Sequence, residues 1–254
     1  MTTVSVTIIT RNEAAHIDAC LASVAWADEV IVVDSESTDD TVARAEARGA
    51  RVIVRPWPGY AAQKNWAAEQ ASSDWILSID ADERVTPELA AEIREVLRAP
   101  AAAGYRVPRV TWHMGRWIRT TDWYPDYQLR LYDRRRARWA ARKVHESVTA
   151  DGPVSLLHYD LQHYAYRDLS HHHQTMDRYT TLAAEEMFDA GRSAGLADLA
   201  LHPPAAFLRN YVLRRGCLDG AVGFIISAMN AYYVFLKLAK LRALAIADRT
   251  SHRA

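Results

Sequence analysis

Four short runs rich in β-branched residues, each followed by a stretch with helical spacing, constrain this chain more than any other feature. The runs are "VSVTIIT" (4–10), "EVIVVD" (29–34), "RVIVR" (51–55) and "WILSID" (75–80). Continuous apolar runs of this length between turn signals read as buried strands. Between them, "EAAHIDACLASV", "STDDTVARAEARG" and "YAAQKNWAAEQA" read as helices, the second ending at Gly49. Thr86-Pro87 predicts a further start, an N-cap followed by proline at the first helical position. Strands alternating with helices predict an α/β fold, a mostly parallel sheet flanked by helices. Ligands of such sheets bind beyond the carboxyl ends of the strands. Thr10, Asp34 and Asp80 all end strands, so one cleft can hold all three.

The fourth strand ends in Asp80-Ala81-Asp82. A carboxylate at the end of a buried strand is unfavourable unless something compensates it. A divalent cation does so, and hard ions such as Mg²⁺ or Mn²⁺ prefer oxygen ligands and share phosphates with substrates. A solvated turn that also caps the next helix is the alternative, and the triplet alone does not separate the two. Lys+Arg and Asp+Glu balance at 31 each, which gives no reason to expect nucleic acid. Arginine is concentrated in 105–145. The two cysteines, Cys20 and Cys217, have no metal-type spacing. The N-terminal residues show no signal-peptide pattern, so a cytoplasmic location is expected.

Beyond about residue 104, tryptophan, proline and arginine replace the regular alternation. Helices are predicted over 168–193 and from 203 onward, the latter including the uncharged stretch 220–236. That stretch is at the short edge of a membrane-spanning helix. Arg209, Arg214 and Arg215 precede it, and Lys237, Lys240 and Arg242 follow. Basic residues on both flanks favour a helix lying on an anionic surface. A helix packed on the catalytic domain, or a homodimer interface through 220–247, is the alternative. The expected organisation is a catalytic domain over 1–165, with halves 1–98 and 99–165, and a helical C-terminal extension over 166–254.

The motifs "VTIITRNE", "VVDSESTDDT" and "WILSIDADE", in that order on successive strand ends, resemble the family-two glycosyltransferases, which have a GT-A fold. In the second half, "YPDYQLRLYDR", "KVHE", "LQHYAYRDLSHHHQTMDRYT" and "LRRGCLDGAVGFIISAMNAYYVFLKLAKL" resemble the subgroup that includes lipopolysaccharide inner-core β-glucosyltransferases. The resemblance implies an inverting, metal-dependent enzyme. It would move a hexose, glucose favoured, from a UDP-sugar to a hydroxyl of a lipid-linked glycan at the inner face of the cytoplasmic membrane.

By that resemblance, Thr10, Arg11, Asn12, Glu13 and Asp34 surround the uracil and ribose of the donor. A carboxylate accepts from a base N–H or a ribose hydroxyl, and Asp34 can also cap its own turn. Lys64 matches a position that is often basic near the nucleotide; an exposed helix lysine is the alternative. Asp80 faces the nucleotide and Asp82 holds the Mg²⁺ or Mn²⁺ that bridges the diphosphate, with Asp80 and His163 as further candidate ligands. A packed, hydrogen-bonded His163 is the alternative. Glu146 of "KVHE" is the candidate base for the acceptor hydroxyl, with Asp126 and Asp122 as competitors. Arg130 is a candidate for the diphosphate, whereas Arg134 to Arg136 read as a solvated face. His171 to His173 are consecutive on a predicted helix and diverge by about 100° each, so they cannot share an ion.

Two other functions fit parts of this pattern. A nucleotidyltransferase making nucleotide sugars would share the sheet and the metal, but the first strand here runs into "TRNEAAHI", without the glycine-rich loop expected there. A non-catalytic sugar- or lipid-binding protein of the same fold is disfavoured by the intact Asp80, Asp82 and Glu146.

Overall fold

The computed structural model describes residues 2–140 and 147–251. In chain order its regular elements begin with β1 (Val4–Thr10), α1 (Ile17–Ser23), β2 (Glu29–Asp34), α2 (Thr41–Ala47), β3 (Arg51–Val54), α3 (Tyr60–Glu69), β4 (Trp75–Asp80), β5 (Glu83–Val85) and α4 (Pro87–Val96). They continue through β6 (Gly104–His113), β7 (Arg116–Ile118), a 3₁₀ turn (Thr121–Trp123), β8 (Asp126–Asp133), β9 (Ala137–Ala140), β10 (Ser147–Ala150), β11 (Val154–Leu156) and β12 (Leu161–His163). The chain then becomes helical, with α5 (Leu169–Asp189), α6 (Leu196–Leu208), a π turn (Arg209–Leu213), a 3₁₀ turn (Gly216–Asp219) and α7 (Gly220–Ser251). Two compact units result. The first comprises 1–110 and 126–165, the second 111–125 and 166–254.

In the first unit, β3, β2, β1 and β4 are neighbours and run parallel, while β8 joins β4 antiparallel. Every residue of β1 is buried, as expected of a strand covered on both faces. The apolar layers on the two faces are built from Val6, Ile8, Ile17 and Leu89 on one side and Ile9, Val33, Ala67 and Ile76 on the other. The register sets Thr10 beside Asp34 and Ile9 beside Asp80, so the three strand-end residues come to one edge. Thr86 caps α4 by accepting from Leu89 N at 3.2 Å, with Pro87 next in line. The second half adds β6 to β12, five of them only three or four residues long. Of these, β12 pairs antiparallel with β5, placing His163 opposite Glu83. Arg134, read from sequence as solvated, donates to the carbonyls of Ala68, in the last turn of α3, and Ala71, just beyond it, and Arg135 pairs with Asp133 and Asp74.

In the second unit, α7 packs on α5 and α6 through Ala184, Ala194, Leu238 and Leu241. The α6 helix begins at Leu196, earlier than the predicted 203, and runs through Pro203 and Pro204. Proline inside a helix removes a backbone donor and argues against helix from local sequence alone. Residues 111–125, expected to belong with the catalytic half, pack here instead. Asp122 pairs with Arg209 and Arg214, Asp122 N donates to Asn210 Oδ1 at 2.8 Å, and Thr121 N donates to the Arg214 carbonyl at 2.9 Å. Asp219 pairs with Arg116 at 2.8 Å. A Cβ on Gly223 would lie 1.8 Å from the Gly216 carbonyl oxygen, so only glycine permits this crossing. Residues 216–250 are long and apolar enough to cross a membrane by length and composition, and 22% of the most apolar window is buried within the protein.

Candidate active site

Two loops form the rim at the carboxyl edge of the parallel strands. Asn12 N donates to Ser37 Oγ at 2.8 Å, and Asn12 Oδ1 accepts from Thr38 N at 2.8 Å. Glu13 N donates to Thr41 Oγ1 at 2.8 Å, and Ala14 N to Asp39. Arg11 and Asn12 are exposed on this rim, while Thr10 is buried. Asp34 is fully buried and accepts from both the backbone N–H and the hydroxyl of Ser37. Its carboxylate organises its own loop, the turn-capping role that the sequence allows beside ligand contact.

Below the rim lies a charged network that the sequence did not disclose. Lys64 is only 5% exposed, which excludes the exposed-lysine alternative. Its Nζ is 2.8 Å from Asp80 Oδ1 and 4.3 Å from the ring centre of Trp139. Asn65, the next residue on α3, fixes that tryptophan by a reciprocal pair of 2.9 Å bonds to its backbone N–H and carbonyl. Arg130 is also buried, and its Nη2 reaches Asp80 Oδ2 at 2.7 Å and Glu83 Oε1 at 2.6 Å. Arg130 is therefore an internal counter-ion to both carboxylates. Burial alone would raise the Asp80 carboxyl, but Arg130 and Lys64 outweigh it and hold the group well below the usual carboxylate range.

Glu83 and Arg109 complete the network, and neither was singled out from sequence. Glu83 is fully buried. Besides Arg130, it accepts from Arg109 Nη1 at 3.1 Å and from Asp80 N at 2.9 Å. Arg109 also binds Asp126 Oδ2 through Nη2 at 2.7 Å, and Gln128 donates to Asp126 Oδ1 at 2.6 Å. Both oxygens of Asp126 are thus engaged, which counts against it as the base. Asp122, the other competitor, is held by Arg209 and Arg214 in the second unit. Glu146 lies outside the described residues.

The pairings balance three cations (Lys64, Arg109, Arg130) against three carboxylates (Asp80, Glu83, Asp126). Asp82 stands outside that balance. Among the described residues its carboxylate meets one side chain, His163, with Nε2 3.4 Å from Oδ2. Burial would raise the Asp82 carboxyl, but His163 outweighs it and lowers it. The β5–β12 pairing creates this contact, and Tyr164 N donates to the Asp82 carbonyl at 2.9 Å. Among the described residues no three His, Cys, Asp or Glu side chains form a ready-made metal cage. One carboxylate and one imidazole with open positions suit a hard cation completed by water and substrate phosphates. The residues present fit such an ion at Asp82 and His163, whereas both oxygens of Asp80 are already paired with Lys64 and Arg130. The histidine triplet diverges on α5 as expected, with His172 buried and His173 exposed.

A parallel half-sheet with acids at its carboxyl edge, followed by an antiparallel β8 and a second run of short strands, is the GT-A type of α/β fold. The chain belongs to glycosyl transferase family 2, whose model matches residues 5–151. It is 34% identical to an uncharacterised glycosyltransferase of Rickettsia typhi, over 98% of this chain and 90% of the relative. It is also 34% identical to a lipopolysaccharide core biosynthesis glycosyltransferase of Rhizobium meliloti, over 92% of this chain and 90% of that protein. Among solved structures, glucosyl-3-phosphoglycerate synthase from Mycobacterium tuberculosis, in complex with Mn²⁺, UDP and glucosyl-3-phosphoglycerate, is 30% identical over 44% of each chain, with a TM-score of 0.38.

Proposed function

We propose that this glycosyltransferase is metal-dependent and inverting. It would transfer a hexose, glucose favoured, from a UDP-sugar to a hydroxyl of a membrane-linked glycan such as lipopolysaccharide core. The observation that carries the reading is Asp82, among the described residues the one acid of the cluster paired with neither lysine nor arginine. Asp82 and His163 would hold Mg²⁺ or Mn²⁺, which supplies charge to neutralise the diphosphate leaving group. Lys64 and Arg130 keep Asp80 ionised and fixed in direction, so a donor meets a carboxylate that needs no reorganisation. The rim from Thr10 to Glu13 would cover the nucleoside. Glu146 would take the proton from the acceptor hydroxyl on the face opposite the departing diphosphate, in one in-line displacement. The acceptor class draws support from the lipopolysaccharide core relative.

A membrane-bound acceptor agrees with the second unit's surface. Leu213 and Leu218 are 76% and 71% exposed, close in sequence to Arg209 and Arg214. Exposed apolar side chains near basic ones suit shallow insertion into an anionic leaflet. We read the protein as peripheral on the inner face of the cytoplasmic membrane.

The deciding measurement is calorimetric titration of UDP with and without Mn²⁺. Wild-type protein should bind more tightly with Mn²⁺, and Asp82→Asn should lose that gain while keeping the metal-free affinity. Unchanged Mn²⁺ dependence in the variant would refute the metal assignment.

A further inference from the structure

The second unit holds a cavity of about 200 Å³ against α5 and α7. That is far more than the ~10–15 Å³ needed for one water. Its walls carry the rings of Trp123, Tyr166, Tyr179 and Tyr233 and the polar groups of His172 and Asn230, and among the described residues no lining residue is an acid, lysine or arginine. The aromatic wall is tightly built: Tyr166 stacks on His172 at 4.3 Å between ring centres, and Trp123 meets His172 at 5.3 Å. Behind them His113 packs edge-on to His172 at 5.0 Å.

Two buried polar atoms on this wall, His172 Nδ1 and Asn230 Nδ2, have no hydrogen-bond partner among the described residues. His172 is 6% exposed, so bulk water does not satisfy it. Burial, reinforced by His113 and the flanking histidines, lowers its pKa to about 4, so the ring is neutral near pH 7. Pockets that combine apolar and aromatic walls with a few convergent polar groups are built for small organic ligands. The chemistry here narrows the class. An ionic ligand would find no counter-charge. An acyl chain would leave the amide and imidazole unpaired, at about 1–3 kcal/mol for each buried group. A compact, uncharged saturated ring with hydroxyls satisfies both, its C–H faces against the aromatic rings and its hydroxyls on Asn230 and His172.

We propose that this cavity binds one neutral sugar ring. Assigning that ring to the acceptor glycan rests on the proposed function; the binding itself does not.

The test is saturation-transfer NMR on the full chain with methyl β-glucoside, methyl β-galactoside and N-acetylglucosamine, and with octanoate as an acyl probe. At least one sugar should receive saturation from the wild-type protein, and octanoate should not. Asn230→Leu, close in volume but without the amide, should weaken that sugar's affinity about fivefold, the weight of one neutral hydrogen bond. Asp82→Asn should leave sugar binding unchanged, and Asn230→Leu should leave UDP binding unchanged, so failure here and failure of the donor reading are distinguishable. Helical circular dichroism screens the variants. Where Asn230→Leu does not fold, His172→Phe, which keeps the ring and removes its nitrogens, takes its place. The proposal is overturned if no sugar is saturated, if folded variants bind as wild type does, or if octanoate binds in place of the sugars.

Discussion

Glu83→Gln is the sharpest test of the charge network. Glu83 Oε1 accepts from Arg130 at 2.6 Å and Arg109 at 3.1 Å, and Oε2 accepts from Asp80 N at 2.9 Å. A glutamine has one acceptor oxygen and one NH₂. If the oxygen faces the arginines, the NH₂ opposes the Asp80 N–H; if it faces Asp80, the NH₂ opposes two guanidinium groups. One side of the network is lost either way, and three cations, of which Lys64 and Arg130 are buried, then face two carboxylates. Removing one partner of a buried ion pair costs about 3–5 kcal/mol. Arg130 keeps Asp80 and Arg109 keeps Asp126, which places the expected loss near the lower end, about 3 kcal/mol. At about 2–4 °C per kcal/mol for a domain of this size, the melting temperature should fall by about 6–12 °C. The assay is thermal unfolding followed by tryptophan fluorescence at pH 7. Buried pairs are weakly screened, so the loss should persist in 1 M NaCl, where the Debye length is about 3 Å. A shift below about 2 °C, or one that vanishes in salt, would show that Glu83 does not carry the network.

Glu146→Gln should lower turnover by roughly 10²–10⁴-fold, the scale of general base catalysis, with UDP affinity nearly unchanged; Asp126→Asn should not show that pattern, and if it does, the base is Asp126. The pKa of His172 is depressed on folding, so the unfolded chain binds the extra proton first. The contribution of the neutral ring to stability is therefore present above about pH 6.5, the ordinary histidine value, and lost as pH falls from there toward about 4. Urea midpoints of wild type should drop across that window more than those of His172→Phe; parallel profiles would assign the acid sensitivity elsewhere. Full-length protein should co-sediment with anionic vesicles at low salt and not with neutral ones, and the double variant Leu213→Asp/Leu218→Asp should stay in solution; pelleting of the variant would mean that these residues are not the contact.

The parallel half of the sheet was legible because each strand is a short apolar run and each helix carries its own boundary residues, as Thr86 and Pro87 do for α4. The convergence of Thr10, Asp34 and Asp80 followed from topology alone. What could not be read was burial of charge. Lys64 lies in "AAQKNWA", where local pattern cannot separate a solvent-facing lysine from one pressed under Trp139, 75 residues later in the chain. Glu83 follows two acids in a turn, where acids are ordinarily solvated. Its role appears only once Arg109 and Arg130, on two later strands, fold against it. The place of residues 111–125 was illegible for the same reason, since Asp122 finds its arginines 87 and 92 residues downstream. The one available signal was in "DADER" itself. A third acid, three residues after Asp80, exceeds what a two-carboxylate metal motif requires.

If the rim covers the nucleoside as proposed, the hydrogen bonds that join its loops bear on the kinetics of donor capture. Asn12 and Glu36 adopt left-handed backbone conformations without being glycine. Asn12 is secured there by bonds to Ser37 and Thr38. Loops tied in this way have little disorder to lose when a ligand arrives, so association carries a small ordering penalty. Nucleotide binding should therefore proceed as a single fast phase whose rate rises linearly with concentration, without the plateau that marks a slow closing step after encounter.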